Sequence, residues 1–130
     1  EAADAALRRA VRHGQAWHPI RARVDWLREQ GVPRLRLFAA AEGRPVPALC
    51  PRIRLRLTEA PLVEDARVAG EGSLDQVRAD LEALAALGAA YVVLDSSTED
   101  AEAMRRPESA WRMLATLAEQ ILDLPRETLR

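Results

Sequence analysis

The stretch Arg52-Ile53-Arg54-Leu55-Arg56-Leu57 decides the fold. Its residues alternate strictly, so Ile53, Leu55 and Leu57 share one face and Arg52, Arg54 and Arg56 the other, as in a strand with one polar side. Toward the C-terminus a looser stretch leads to the sharpest local signal in the chain. Ser73 with Gln76 three residues on is a capping box, and Leu74, Val77, Leu81, Leu84 and Leu87 form a helical stripe that Gly88 ends. Tyr91-Val92-Val93-Leu94 then reads as a short strand, apolar on both faces as a parallel strand covered by helices would be. Ser96 to Arg106 is polar and reads as a loop. Pro107 opens a last helix with Trp111, Leu114, Leu117, Ala118, Ile121 and Leu122 inward, stopped before Pro125.

Toward the N-terminus, Gly43 to Pro51 carries three prolines and no periodicity, and reads as a loop. Before it, Ile20, Val24 and Leu27 fall at helical spacing up to Gly31. Pro33 then sits at a first helical position, and Leu35, Phe38 and Ala39 carry the apolar face on to Gly43. Ala16-Trp17-His18 ahead of Pro19 reads as a short strand. Glu1 to His13 is an alanine-rich helix with Leu7 and Val11 four apart, and Gly14 is its stop.

Helix and strand therefore alternate along the chain, which predicts an α/β fold of right-handed βαβ units around a parallel sheet, a single domain over 1–130. Three strands and four helices suit a small doubly wound sheet or a slice of a (β/α)8 TIM barrel. The arginines separate the two. A doubly wound sheet is covered on both faces, and three buried guanidinium groups would be costly. A barrel turns one face inward, where it can be wet and charged near the C-terminal mouth. The barrel slice is the better fit.

Composition sets the outer limits. The chain has 130 residues, 48% apolar and 30% charged, which is a globular rather than a disordered balance. A net charge of -1, from 19 basic and 20 acidic residues, argues against a nucleic-acid or membrane-surface partner. No apolar run reaches the ~18 residues of a membrane span. The single Cys50 excludes an intramolecular disulfide and suits a reducing cytoplasm. All 19 basic residues are arginine and lysine is absent, a coding bias that keeps arginine number alone from indicating an anion site. The opening at Glu1, not methionine, suggests a piece of something longer.

Five motifs in order resemble the C-terminal portion of the bacterial luciferase-like (luciferase-like monooxygenase) family of flavin- and F420-dependent oxidoreductases. His13-Gly14-Gln15-Ala16-Trp17-His18-Pro19 resembles the family's Gly-Asp-Gly-Trp-His-Pro stretch, with Gln15 and Ala16 in place of Asp and Gly. Ala41-Glu42-Gly43-Arg44-Pro45 resembles its Ala-Gly-Arg-Asp-Pro turn, with Pro45-Val46 in place of Asp-Pro. Ile53-Arg54-Leu55-Arg56-Leu57 is similar to its next strand. Gly72-Ser73-Leu74-Asp75-Gln76-Val77 is similar to its Gly-Thr-x-Glu-Gln-Val helix start, and Tyr91-Val92-Val93-Leu94-Asp95 to its last strand.

The resemblance implies the last three strand–helix units of a (β/α)8 barrel, five strands short of a closed one. It implies hydride transfer or oxygen activation through F420 or FMN, a small-molecule substrate, and a piece inactive by itself. A non-catalytic α/β interaction domain completed by a partner is the other function class. Open sheet edges point to a homo-oligomer.

The same resemblance places Trp17 and His18 where a cofactor ring and a substrate meet; otherwise Trp17 is core and His18 a residue at the start of a helix. Asp95, Ser96 and Ser97 are candidates for hydrogen bonds to a cofactor, or simply a polar loop that stops a strand. Arg54 and Arg56 suit either an anionic cofactor tail or a solvated strand face. Cys50 has no base beside it in sequence, which argues against a nucleophile. His13 and His18 lack the cysteine partners of a metal centre, and Gly70-Glu71-Gly72 lacks the dinucleotide fingerprint. Catalytic residues are not assigned.

Overall fold

A computed structural model describes residues 2–130. Helix α1 (Ala2–His13) leads into β1 (Ala16–Trp17). A continuous helical rod follows: α2 (Val24–Trp26), a π-turn (Leu27–Gly31) and α3 (Val32–Ala41). Next come β2 (Ala48–Leu49), β3 (Arg52–Arg54), β4 (Arg56–Leu57), β5 (Glu71–Gly72) and α4 (Leu74–Ala86). The chain ends with β6 (Val93–Asp95), α5 (Ala101–Met104), α6 (Glu108–Gln120), β7 (Leu122–Asp123) and β8 (Thr128–Leu129).

Strands β2, β3 and β4 lie end to end along residues 48–57 and form the middle of the sheet. On one edge the amides of Ala48, Cys50 and Arg52 donate to the carbonyls of Gln15, Trp17 and Pro19, each at 2.9 Å. Past Pro19 that edge passes to β5, where Arg56 and Thr58 donate to Gly70 and Gly72 at 3.0 and 2.8 Å. On the other edge β6 pairs in parallel, Ile53 against Leu94 and Arg54 against Asp95. β1, the run β2–β4 and β6 thus lie side by side in chain order, with the short β5 out of order on the β1 edge, in a mixed α/β fold with no closed barrel among the described residues.

The alternation at 52–57 holds. Ile53 and Leu55 are buried in one core with Leu49, Trp17, Leu7 and Val11 of α1, Leu35 of α3, Leu84 of α4 and Leu117 of α6. Because paired residues of parallel strands share a face, His18, Arg52, Arg54, Val93 and Asp95 lie on the opposite side. No helix buries that side: Ile20, Tyr91 and Val93 stay exposed.

Four expectations need correction. Residues 48–49 are strand, not loop, because only even-numbered amides bond toward β1 and the prolines at 45, 47 and 51 remove none of them. The Tyr91–Leu94 run is covered on one face only, and its strand runs from Val93 to Asp95. Ile20 is outside the helix and bridges to Arg52. Trp111 is exposed, because α6 is fully buried only toward its C-terminal end, at Leu117, with Ile121 following it. Two short elements were not anticipated, α5 within the polar loop and the antiparallel β7–β8 hairpin.

The π-turn has a local cause. Pro33 has no amide to donate and its ring crowds the carbonyl four residues back, so a regular α-helix cannot pass it unaltered. The ladder shifts instead: the Val32 amide reaches Leu27, five residues back. Among the described residues no helix is long and apolar enough to cross a membrane.

Candidate functional site

Residues at the C-terminal ends of β4 and β6 open onto a groove of about 630 Å³, closed on its far side by α5 and α6. One wall is polar, with Arg54, Arg56, Asp95 and Ser96; the other is apolar, with Met104, Trp111, Met113 and Leu114. Trp111 is 62% exposed although it is the largest side chain of that wall.

The arginine face is organised by carboxylates. Arg52 meets Asp95 at 2.8 Å and Arg56 meets Glu71 at 3.1 Å. Arg54 lies between them with a side chain only 25% exposed, yet its closest acidic oxygens, on Glu71 and Glu99, are both 4.0 Å away. Those distances are too long for hydrogen bonds, and among the described residues Arg54 makes none through its guanidinium. Asp95 is held by its own loop: the Ser97 amide donates to it at 3.0 Å. The Ser97 hydroxyl and amide, with Arg52 beyond, hold the Asp95 carboxyl below its ordinary pKa.

Glu71 and Gly70 are set in place by a buried ion pair. Arg67 donates twice to Asp80, at 2.6 and 2.9 Å, with side chains 9% and 4% exposed. The same carboxylate accepts the Gly70 amide at 2.9 Å. Gly70 has φ +90°, and a Cβ there would stand 2.5 Å from the Arg54 carbonyl oxygen, so β5 approaches the central strand this closely only with glycine. Gln76 completes the frame, closing the capping box with Ser73 and bonding both backbone groups of Leu62 at 2.9 and 2.8 Å.

The four residues singled out as cofactor contacts do not come together. Asp95 and Ser96 line the groove. Trp17 lies on the helix side of the sheet, 8% exposed, with its ring 6.3 Å from that of Trp26; the little surface it keeps opens on a hollow beside Ile20. His18 is on the open face, its Nδ1 2.7 Å from the Cys50 carbonyl oxygen. Sequence reasoning missed Glu71 and Glu99, which lie far from Arg54 in the chain and carry no local signal. The alternating arginines were the signal for Arg54 itself. Among the described residues no group of three or more His, Cys, Asp or Glu side chains is placed to hold a metal ion.

This geometry has to be interpreted from the chain itself: no protein-family model matches it, and no curated protein does.

Proposed function

We propose that the chain is the C-terminal part of a luciferase-like flavin- or F420-dependent oxidoreductase and supplies the last three strand–helix units of its (β/α)8 barrel. One observation carries this reading beside the sequence resemblance. Apart from the two-residue β5, the parallel strands follow in chain order, with helices on one face and an open, charged face on the other. A doubly wound sheet would have both faces covered. Closing the sheet into a barrel would turn the bare face inward and leave the groove on the C-terminal rim, where barrel enzymes hold their substrates.

A flavin or deazaflavin, when bound, supplies the redox chemistry, and the protein binds and orients. The residues here fit one wall of such a site. Asp95, held ionised, and Ser96 offer hydrogen bonds there. Arg21, Arg52 and Arg56 are already paired with Glu99, Asp95 and Glu71, which leaves little free positive charge for a cofactor's phosphate. The cofactor is therefore held mainly by the earlier strands, and this chain forms the wall that meets the small-molecule substrate. The lone, buried Cys50 suits a cytoplasmic setting.

The test is cofactor retention after gel filtration, read by absorbance and fluorescence, for the 130-residue chain and for a longer polypeptide carrying it at its C-terminus. The expected result is FMN or F420 on the longer protein and none on the chain. A longer protein that binds neither removes the oxidoreductase reading. Stoichiometric cofactor on the chain alone contradicts the division of labour. The exposed Ile20, Tyr91 and Val93 favour one rival, a non-catalytic domain completed by another protein.

A further inference from the structure

We infer that the groove at the strand ends binds a small monoanionic carboxylate with a flat apolar body, the carboxylate on Arg54 and the body against Trp111. The inference rests on the oxidoreductase reading only in calling that ligand the substrate.

Arg54 is the anchor because it alone on the arginine face combines burial with unused donors. Its side chain is three-quarters covered, and its acidic neighbours stand at 4.0 Å on either side. The guanidinium has five N–H donors in a planar fork, and a carboxylate accepts two of them side by side. Arg52 and Arg56 are already engaged, at 2.8 and 3.1 Å.

Charge selects the class of anion. Glu71, Glu99 and Asp95 are each paired with an arginine, Arg56, Arg21 and Arg52, so Arg54 is the one positive charge of this group left without a close partner and a ligand's second negative charge meets no free cation among them. One negative charge replaces the weak attraction of two distant carboxylates with a direct bidentate contact. Two negative charges, as on a phosphate monoester, add repulsion that the single free guanidinium does not offset. A monoanionic carboxylate fits and a dianion does not.

The facing wall selects the body. Trp111 and Met104 expose 62% and 55% of their surface to the groove and to solvent, and Leu114 37%. An indole and thioethers favour a planar apolar group by stacking and sulfur–ring contact. A volume of about 630 Å³ is in the range of small-molecule sites.

The test titrates the 15N-labelled chain with 2-naphthoate, neutral 2-naphthamide and dianionic 1-naphthyl phosphate, following the Ser96–Thr98 amides and the Trp111 indole N–H by NMR. Naphthoate should shift these resonances saturably and bind about tenfold or more tighter than the amide, the range of a charge-assisted hydrogen bond. Arg54→Gln, with its other resonances in place, should abolish that preference. Arg54→Lys, which keeps the charge and loses the fork, should retain only part of it.

Equal binding of acid and amide, shifts confined to other surfaces, or an unchanged preference in Arg54→Gln overturns the site. Naphthyl phosphate binding as tightly as naphthoate overturns the monoanion class. None of these readings uses a flavin, so failure here leaves the cofactor test standing. A longer protein without cofactor leaves the carboxylate site standing in turn.

Discussion

At the scale of single residues, two carboxylates near the groove do opposite kinds of work. Asp80 is structural: it neutralises a buried guanidinium and satisfies the Gly70 amide, so its oxygens serve both the ion pair and the tight approach of β5. Asp80→Ala strips the 9% exposed Arg67 of its bidentate partner and the Gly70 amide of its acceptor, leaving the more exposed Glu64, at 2.8 Å, as the only acidic contact of Arg67 among the described residues, and should cost about 2–3 kcal/mol of stability in urea unfolding. A loss below about 1 kcal/mol would mean that Glu64 and water satisfy Arg67 and that the Asp80 pair resembles a surface bridge. Asp95 is poised rather than buried. Hydrogen bonds from Ser97, then the charge of Arg52, lower its pKa from the ordinary 3.8. The folded state therefore favours the ionised carboxyl more than the unfolded chain does. The stabilisation is complete above pH 3.8 and is lost as pH falls through the depressed folded value. Asp95→Asn should flatten the acid limb of a plot of melting temperature against pH, and the same acid limb in wild type and variant would assign that limb to other groups.

At the scale of elements, the rod of α2, the π-turn and α3 shows how side chains override local preference. Gly31 sits inside it, where alanine would gain up to about 1 kcal/mol in helix propensity. A Cβ there would stand 2.9 Å from both the Trp17 and the Trp26 rings, which pack on each other. Overpacking of this kind costs about 1–3 kcal/mol, so Gly31→Ala should lower the melting temperature despite the better propensity. A higher melting temperature would show that the indoles yield without loss. The same element marks the limit of what sequence could tell. Spacing located its apolar stripe, and Gly31 and Pro33 signalled a break, but whether a helix ends or shifts register depends on what packs against it. The capping box of α4 was legible because all its partners lie within four residues. The strand at 48–49 was not, since the prolines are visible and the parity that makes them harmless depends on β1, more than thirty residues away. The groove follows the same rule: Asp95 and Ser96 were legible from their place at the end of a strand, and Trp111 was misplaced because spacing gives the apolar stripe of α6 but not how far along the helix the core reaches.

At the scale of the whole molecule, the sheet presents a face and an edge that nothing in the described residues covers. The face alternates charged and apolar groups, with Ile20 at 62%, Tyr91 at 57% and Val93 at 38% exposure among the paired arginines. Ion pairs already engage Arg52 and Arg56 on this face, which lowers the cost of covering them, and the three apolar side chains supply the driving force. The edge is β6, paired only with β3, its outward amides and carbonyls facing away from the sheet. Its shortness, three residues, and Asp95 are what blunt it, for no lysine, proline or bulge lies between Val93 and Asp95. A second copy of the chain offers the same face and edge, and two-fold pairing would either extend the sheet at the edge or cover the face. We expect a dimer or higher oligomer at micromolar concentration in analytical ultracentrifugation. Val93→Arg, which sets a second guanidinium beside Arg52 on the shared face, should shift it toward monomer without unfolding it. A single wild-type species near 14.4 kDa would show instead that water is an adequate neighbour for this face, and the oligomer would be withdrawn while the parallel sheet stands. An oligomer unmoved by Val93→Arg would place the contact elsewhere, with the exposed α5–α6 wall, Met104 and Trp111, as the next surface to alter.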